Sequence, residues 1–243
     1  MKKLGFTLAE VLITLGIIGV VAALTIPSLI QNYQKHVWVN QLKKSVSVVE
    51  NSFHLAMAQD EVENLMDTSL LKTLLVNGDD DWYGTWHRFP EFVSKYKDYI
   101  KIIDTKADDT NFAQYKTLNG TEYNNVMNYP IYLADGSILY LFIDPTGYSA
   151  VNYDLIGSYY IDVNGLKGPN TFGRDLFEFL ISPYGTVYPN YSKPVRNIYE
   201  KNYGYDIYPA DIVQQLCNPS GNADANGGSC AARIMEDGWK MNY

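Results

Sequence analysis

Two short stretches of the chain carry side chains spaced for chemistry. Glu10 sits near the start of FTLAEVLITLGIIGVVAALTI, a run from Phe6 to Ile26 that is otherwise nearly all apolar. A carboxylate at the centre of a membrane helix costs about 2.5–3.5 kcal/mol on insertion scales, and such groups are usually functional. The second stretch is IDVNGLKGPNTFGRD, in which Asp162-x-Asn164-Gly165 follows the opening of a calcium loop. Calcium takes six to eight hard oxygens, and Asp162, Asn164, the Leu166 carbonyl, Asn170 and Asp175 could supply several. The EF-hand pattern is not completed, because Gly173 stands where its twelfth-position Glu belongs. The same residues also fit a plain turn, with Asp and Asn bonding their own backbone and Gly at positive φ. Structural calcium is therefore an expectation that competes with simple turn chemistry.

Other reactive residues are sparse. Cys217 and Cys230 flank CNPSGNADANGGSC, a loop without His or a third Cys, which fits a local disulfide and an oxidising compartment. His36, His54 and His87 are scattered, and His36 and His54 fall on a long helical pattern where a solvated role is the plainer reading. No nucleophile elbow, zinc-protease motif or phosphate-cradling glycine loop occurs, and no catalytic residue is expected. Trp82, Tyr83 and Trp86, with the many tyrosines, could build an adhesive face, although such rings more often fill strands and cores.

These groups need elements to position them. Lys2 and Lys3 precede an apolar stretch long enough to cross a bilayer as a helix. A secretory signal cut near Val21-Ala22-Ala23 would have a shorter apolar core, and a plain anchor leaves Glu10 without a purpose. Gly16 and Gly19 suit close helix–helix approach, and Pro27 should kink or locally melt the helix. Further on, Trp38, Leu42, Val46, Val49, Phe53 and Met57 form one apolar stripe at helical spacing. The pattern predicts a continuous helix from Phe6 to about Gln59.

Beyond it the expectation is an α+β head. SLLKTLLVNG reads as a short helix ending at Asn77-Gly78, DDDWYGTWHRFP as a loop, and EFVSKYKDYIKII as a helix with Phe92, Val93, Tyr96, Ile100 and Ile103 on one side. PIYLADGSILYLFID reads as a hairpin turning at Asp135-Gly136. SYYIDV should add a strand, GRDLFEFLI a short helix, and TVYPNY a return to the sheet. Residues 182–210, with four prolines and seven tyrosines, should be irregular. ADIVQQLC and CAARIMEDGW are short helical candidates.

A net charge of −8 argues against a nucleic-acid partner held by phosphate contacts. Hydrophobic residues at 47% and 21 tyrosines favour a folded body over disorder.

GFTLAE resembles the cleavage motif of type IV prepilins and type II secretion pseudopilins, and the likeness runs on through EVLITLGIIGVVAALTIPSLI. It covers about the first 30 residues. It implies a leader of residues 1–5 cut after Gly5 by a prepilin peptidase, methylation of Phe6, and pairing of Glu10 with the freed N-terminus of a neighbouring subunit. It also implies a transmembrane segment at about 6–26, a helix over 6–59 and an extracytoplasmic head over 60–243. The implied partners are other pilin-like subunits and an inner-membrane assembly platform with its ATPase. The implied place is the inner membrane, then a filament in the periplasm or at the cell surface. The rival expectation is a membrane-tethered binding or adhesin domain that never polymerises.

Overall fold

A computed structural model describes residues 7–74, 82–105, 114–123, 129–143, 154–203, 208–209, 211–221 and 226–243. The chain divides into two units, residues 1–37 and 38–243. The first helix, α1, spans Leu8–Gln59.

In the first unit the large apolar side chains from Leu8 to Tyr33 are exposed, as a helix surrounded by lipid or by other helices requires. Its hydroxyls bond to the helix's own carbonyls: Thr14 to Val11 at 3.0 Å, Thr25 to Val21 at 2.9 Å and Ser28 to Thr25 at 2.9 Å. None of these donors is left needing water. Of the kink or local melting expected at Pro27, the melting does not occur, since the helix runs unbroken through it. Pro27 still withholds the amide that would bond to the Ala23 carbonyl, so the helix loses one rung there.

The second unit is α+β. After α1 come α2 (Ser69–Lys72), α3 (Trp82–Tyr96), β1 (Ile102–Thr105), β2 (Tyr115–Lys116), β3 (Glu122–Tyr123), β4 (Pro130–Leu133) and β5 (Ile138–Ile143). Then follow β6 (Gly157–Asp162), β7 (Leu176–Ile181), β8 (Val187–Pro189), α4 (Lys193–Tyr203), α5 (Ile212–Leu216) and α6 (Cys230–Glu236). Six strands form an antiparallel sheet in the order β1-β4-β5-β6-β7-β8, and β2 pairs with β3 separately. The expected hairpin is β4–β5, turning where Gly136 has φ +90°.

The stripe on α1 behaves as its spacing requires. Trp38, Leu42, Val49, Phe53 and Met57 are buried in the main core with Phe92, Tyr96, Leu139, Leu141, Tyr159, Phe177 and Phe179, while Val46 packs against it. Ile138, Tyr140, Phe172 and Leu176 join Tyr115 in a second cluster. Adjacent residues of β5 and β7 therefore enter different clusters, which is why ILYLFI shows no polar alternation.

Four local readings need correction. GRDLFEFLI is not a helix: its Leu176–Ile181 part is strand β7, with Phe177, Phe179 and Ile181 in the main core at a period of two. Residues 82–90 are helical rather than loop, and α3 stops at Tyr96, so Ile103 lies on β1 and is 67% exposed. Residues 182–210 are not wholly irregular, since they hold β8 and α4. The first short helix is only Ser69–Lys72, and Asn77-Gly78 lies outside the described residues.

Candidate functional site

In the first unit the site residue is Glu10. Its Oε2 accepts from the Thr7 N–H at 2.8 Å and from Thr7 Oγ1 at 2.7 Å, while the Glu10 N–H donates to Thr7 Oγ1 at 3.3 Å. This is a reciprocal capping box, which satisfies two of the amides that a helix start leaves unpaired. Sequence reading passed over Thr7 as a partner, although the Thr-x-x-Glu spacing was the signal. A cap contributes about 1 kcal/mol, less than the membrane cost of a carboxylate. Gly16 and Gly19 face open space on the described residues, so both are free for a neighbouring helix. Gly5 and Phe6, the expected processing residues, lie outside the described residues.

In the second unit Asp162 ends β6 and Asp175 immediately precedes β7, and Asp162 pairs with Leu176 across the ladder. Both aspartates are completely buried. Asp162 accepts from the Asn164 N–H at 3.2 Å and from the Tyr115 hydroxyl at 2.9 Å. Asp175 accepts from the Asn170 N–H at 2.9 Å and the Thr171 N–H at 2.6 Å, and the Asn164 side chain also bonds to it. The expected turn chemistry is thus present, including Gly165 at φ +66°. It supplies no opposite charge. Among the described residues no Lys, Arg or His forms an ion pair with either carboxylate. Burial, and then the neighbouring Asp175 charge, push the Asp162 carboxyl up to about 8. Burial likewise raises Asp175, against the lowering effect of the Thr171 and Asn170 amides.

The Oδ1 atoms of Asn164 and Asn170 are buried and have no hydrogen-bond partner. Two hydrogen-bonded carboxylates without a basic partner, and two unpartnered amide oxygens, are donors of the kind a hard cation such as calcium takes. Oxygen donors do not suit a softer metal, and among the described residues no group of three or more His, Cys, Asp or Glu is gathered that could hold a metal ion of any kind. Leu166 stands apart from this bonding network, its side chain 58% exposed.

Cys217 and Cys230 form a disulfide, both fully buried, joining the end of α5 to the start of α6. Of the aromatic residues, Tyr96, Tyr115, Tyr140 and Tyr159 are core, and the side chains of Trp82, Tyr83 and Trp86 lie outside the described residues. His36 and His54 are carried on α1.

A family model described as a family of unknown function, DUF6613, matches residues 28–243. A second, for the prokaryotic N-terminal methylation motif, matches residues 1–26, so the chain carries the type IV pilin and pseudopilin signature. No curated protein and no solved structure matches it.

Proposed function

We propose, for a chain that belongs to the family of unknown function DUF6613, the role of a pilin-like structural subunit, a pseudopilin or minor pilin of a type II secretion or type IV pilus filament. The observation that carries this reading is the methylation motif over residues 1–26, on a helix whose large apolar side chains from Leu8 to Tyr33 are exposed. A prepilin peptidase cuts after Gly5, Phe6 becomes the methylated N-terminus, and the helix holds the subunit in the inner membrane with residues 60–243 outside the cytoplasm. Subunits then join through their helices, driven by the assembly platform and its ATPase.

Glu10 sets the register of that assembly. The freed ammonium of a neighbour is a charge that can offset the buried carboxylate, and an ion pair in lipid forms only in good geometry. A subunit displaced by one helical turn, about 5.4 Å, would leave both charges unpaired. The Thr7–Glu10 box supports the second reading, a tethered domain that stays single, because it gives Glu10 a partner within its own chain. Glu10→Gln separates the two. Glutamine keeps an oxygen for the Thr7 N–H and loses the charge. The subunit reading expects normal membrane insertion and loss of incorporation into filaments, scored by crosslinking between copies. Incorporation at the wild-type level would favour the tethered domain.

A further inference from the structure

The start of α4 departs from ordinary helix-cap chemistry. Ser192 immediately precedes the helix and its carbonyl accepts from the Arg196 N–H at 2.9 Å, so it stands at the N-cap. A serine there normally takes a bond from an amide of the first turn. Ser192 does not: it is 7% exposed, and its Oγ has no hydrogen-bond partner. Lys193 then puts a cation where the helix dipole is already positive, and the first turn holds no acidic side chain. Pro194 has no amide to offer, and the Lys193 and Val195 N–H groups make no backbone bond among the described residues. This helix start is electropositive and unsatisfied.

It opens into a cleft. Within the second unit, α1, β8, the start of α4 and α6 enclose about 830 Å³, room for a drug-sized ligand. Ser192, Lys193 and Lys43 line it, and Lys43 Nζ lies 5.1 Å from the centre of the Trp239 ring, another lining residue. Trp239 is held at φ +63°, a backbone setting that a bulky aromatic seldom takes. The two acids of the lining are already engaged: Glu50 accepts from the Val187 N–H at 3.4 Å, and Glu236 lies 3.8 Å from Arg196. Lys193 forms no ion pair among the described residues. Val46, Val187, Pro189, Pro194 and Met235 make the remaining walls largely apolar.

We propose that this cleft binds an acidic side chain of an extended partner peptide whose neighbouring residues are apolar, with the carboxylate seated on the start of α4. Its oxygens take the free N–H groups of Lys193 and Val195, and Ser192 Oγ turns about χ1 to donate to it. The Lys193 and Lys43 ammonium groups flank the charge, and the peptide's apolar side chains cover walls that would otherwise stay wet. The cleft is an open trough, so a chain can run on past the seated group, which favours an internal side chain over a chain terminus. A phosphate dianion is disfavoured: Glu50 and Glu236 repel it twice as strongly as a carboxylate, and among the described residues no Arg lines the cleft. The inference stands independently of the filament reading.

The test uses the full chain in detergent and, as probe, the tripeptide leucyl-glutamyl-leucine with both ends blocked, followed by isothermal titration calorimetry. One peptide should bind per chain, and the glutaminyl counterpart should bind about tenfold more weakly. Added salt should weaken the glutamyl peptide alone. Lys193→Gln, a change at an exposed side chain, should weaken the glutamyl peptide several-fold and leave the glutaminyl one unchanged. Ser192→Ala should weaken binding without lowering the melting temperature, since the hydroxyl bonds to nothing in the free protein. Ser192→Asp sets a carboxylate on the same amides from within, so it should raise the melting temperature and abolish binding. Equal affinity for the two blocked peptides, or no saturable binding at millimolar peptide, would overturn the site. So would a Lys193→Gln protein that binds as the wild type does, or phenyl phosphate binding more tightly than the glutamyl peptide. An unblocked glutaminyl peptide that matched the glutamyl one would overturn the choice of a side chain over a terminus.

Discussion

Ser52 and Tyr96 offer a test of how α1 is locked into the head. Both are buried, and Ser52 Oγ lies 2.6 Å from the Tyr96 hydroxyl. Ser52 has one hydroxyl proton, and it is committed to the Val49 carbonyl at 2.6 Å. Tyr96 must therefore be the donor. The two single substitutions then differ. Tyr96→Phe leaves the ring stacked on Phe53 at 6.0 Å and Phe92 at 5.4 Å, and leaves Ser52 still donating. Its cost is one neutral hydrogen bond, about 0.5–1.5 kcal/mol. Ser52→Ala removes the acceptor and strands a fully buried hydroxyl, about 1–3 kcal/mol. The better helix propensity of Ala gives back at most about 0.5 kcal/mol. Ser52→Ala should therefore be the more harmful single change, and the double substitution should cost less than the two summed, by about 1 kcal/mol. Denaturant unfolding of the four proteins followed by near-ultraviolet circular dichroism measures this. A Tyr96→Phe cost that exceeds that of Ser52→Ala, or strict additivity, would refute the donor assignment.

Thr7→Val removes the hydroxyl's two bonds from the capping box, keeps the backbone N–H to Glu10 and leaves the Glu10 charge, so it should lower helix stability by about 1 kcal/mol while filament incorporation, read by the same crosslinking, persists. Loss of incorporation equal to that of Glu10→Gln would show that the cap, and not the charge, matters. Glu178 is held above the ordinary carboxyl range by burial, although Asn190 Nδ2 donates to it at 2.9 Å. A folded-state value above the unfolded one means the native protein binds the extra proton, so this stability is present below 4.5 and is lost as pH rises through the folded value. Glu178→Gln should flatten that slope in melting temperature against pH. An unchanged slope would contradict it.

Much of the fold was legible in the sequence wherever one periodicity dominated. The α1 stripe from Trp38 to Met57 faces a single core, so its spacing was unambiguous. The β4–β5 hairpin was marked by Asp135-Gly136 between apolar runs. LFEFLI misled because Leu176 serves the second cluster and fills in the alternation that Phe177, Phe179 and Ile181 would otherwise show. Residues 193–203 looked irregular because tyrosine and proline density masked a helix that begins just before Pro194, where a missing amide does no harm. At the β6–β7 turn, sequence named the oxygen donors. It could not show that both aspartates are sealed from solvent, or that the disulfide and Tyr243 rest on the same residues, since those contacts join positions far apart in the chain.

The mass of the intact protein, isolated from the membrane of a cell that makes it, bears most directly on the central claim. Processing as a prepilin predicts a chain that begins at Phe6 and carries one added methyl group. A chain still beginning at Met1, or one beginning after Ala23, would contradict it.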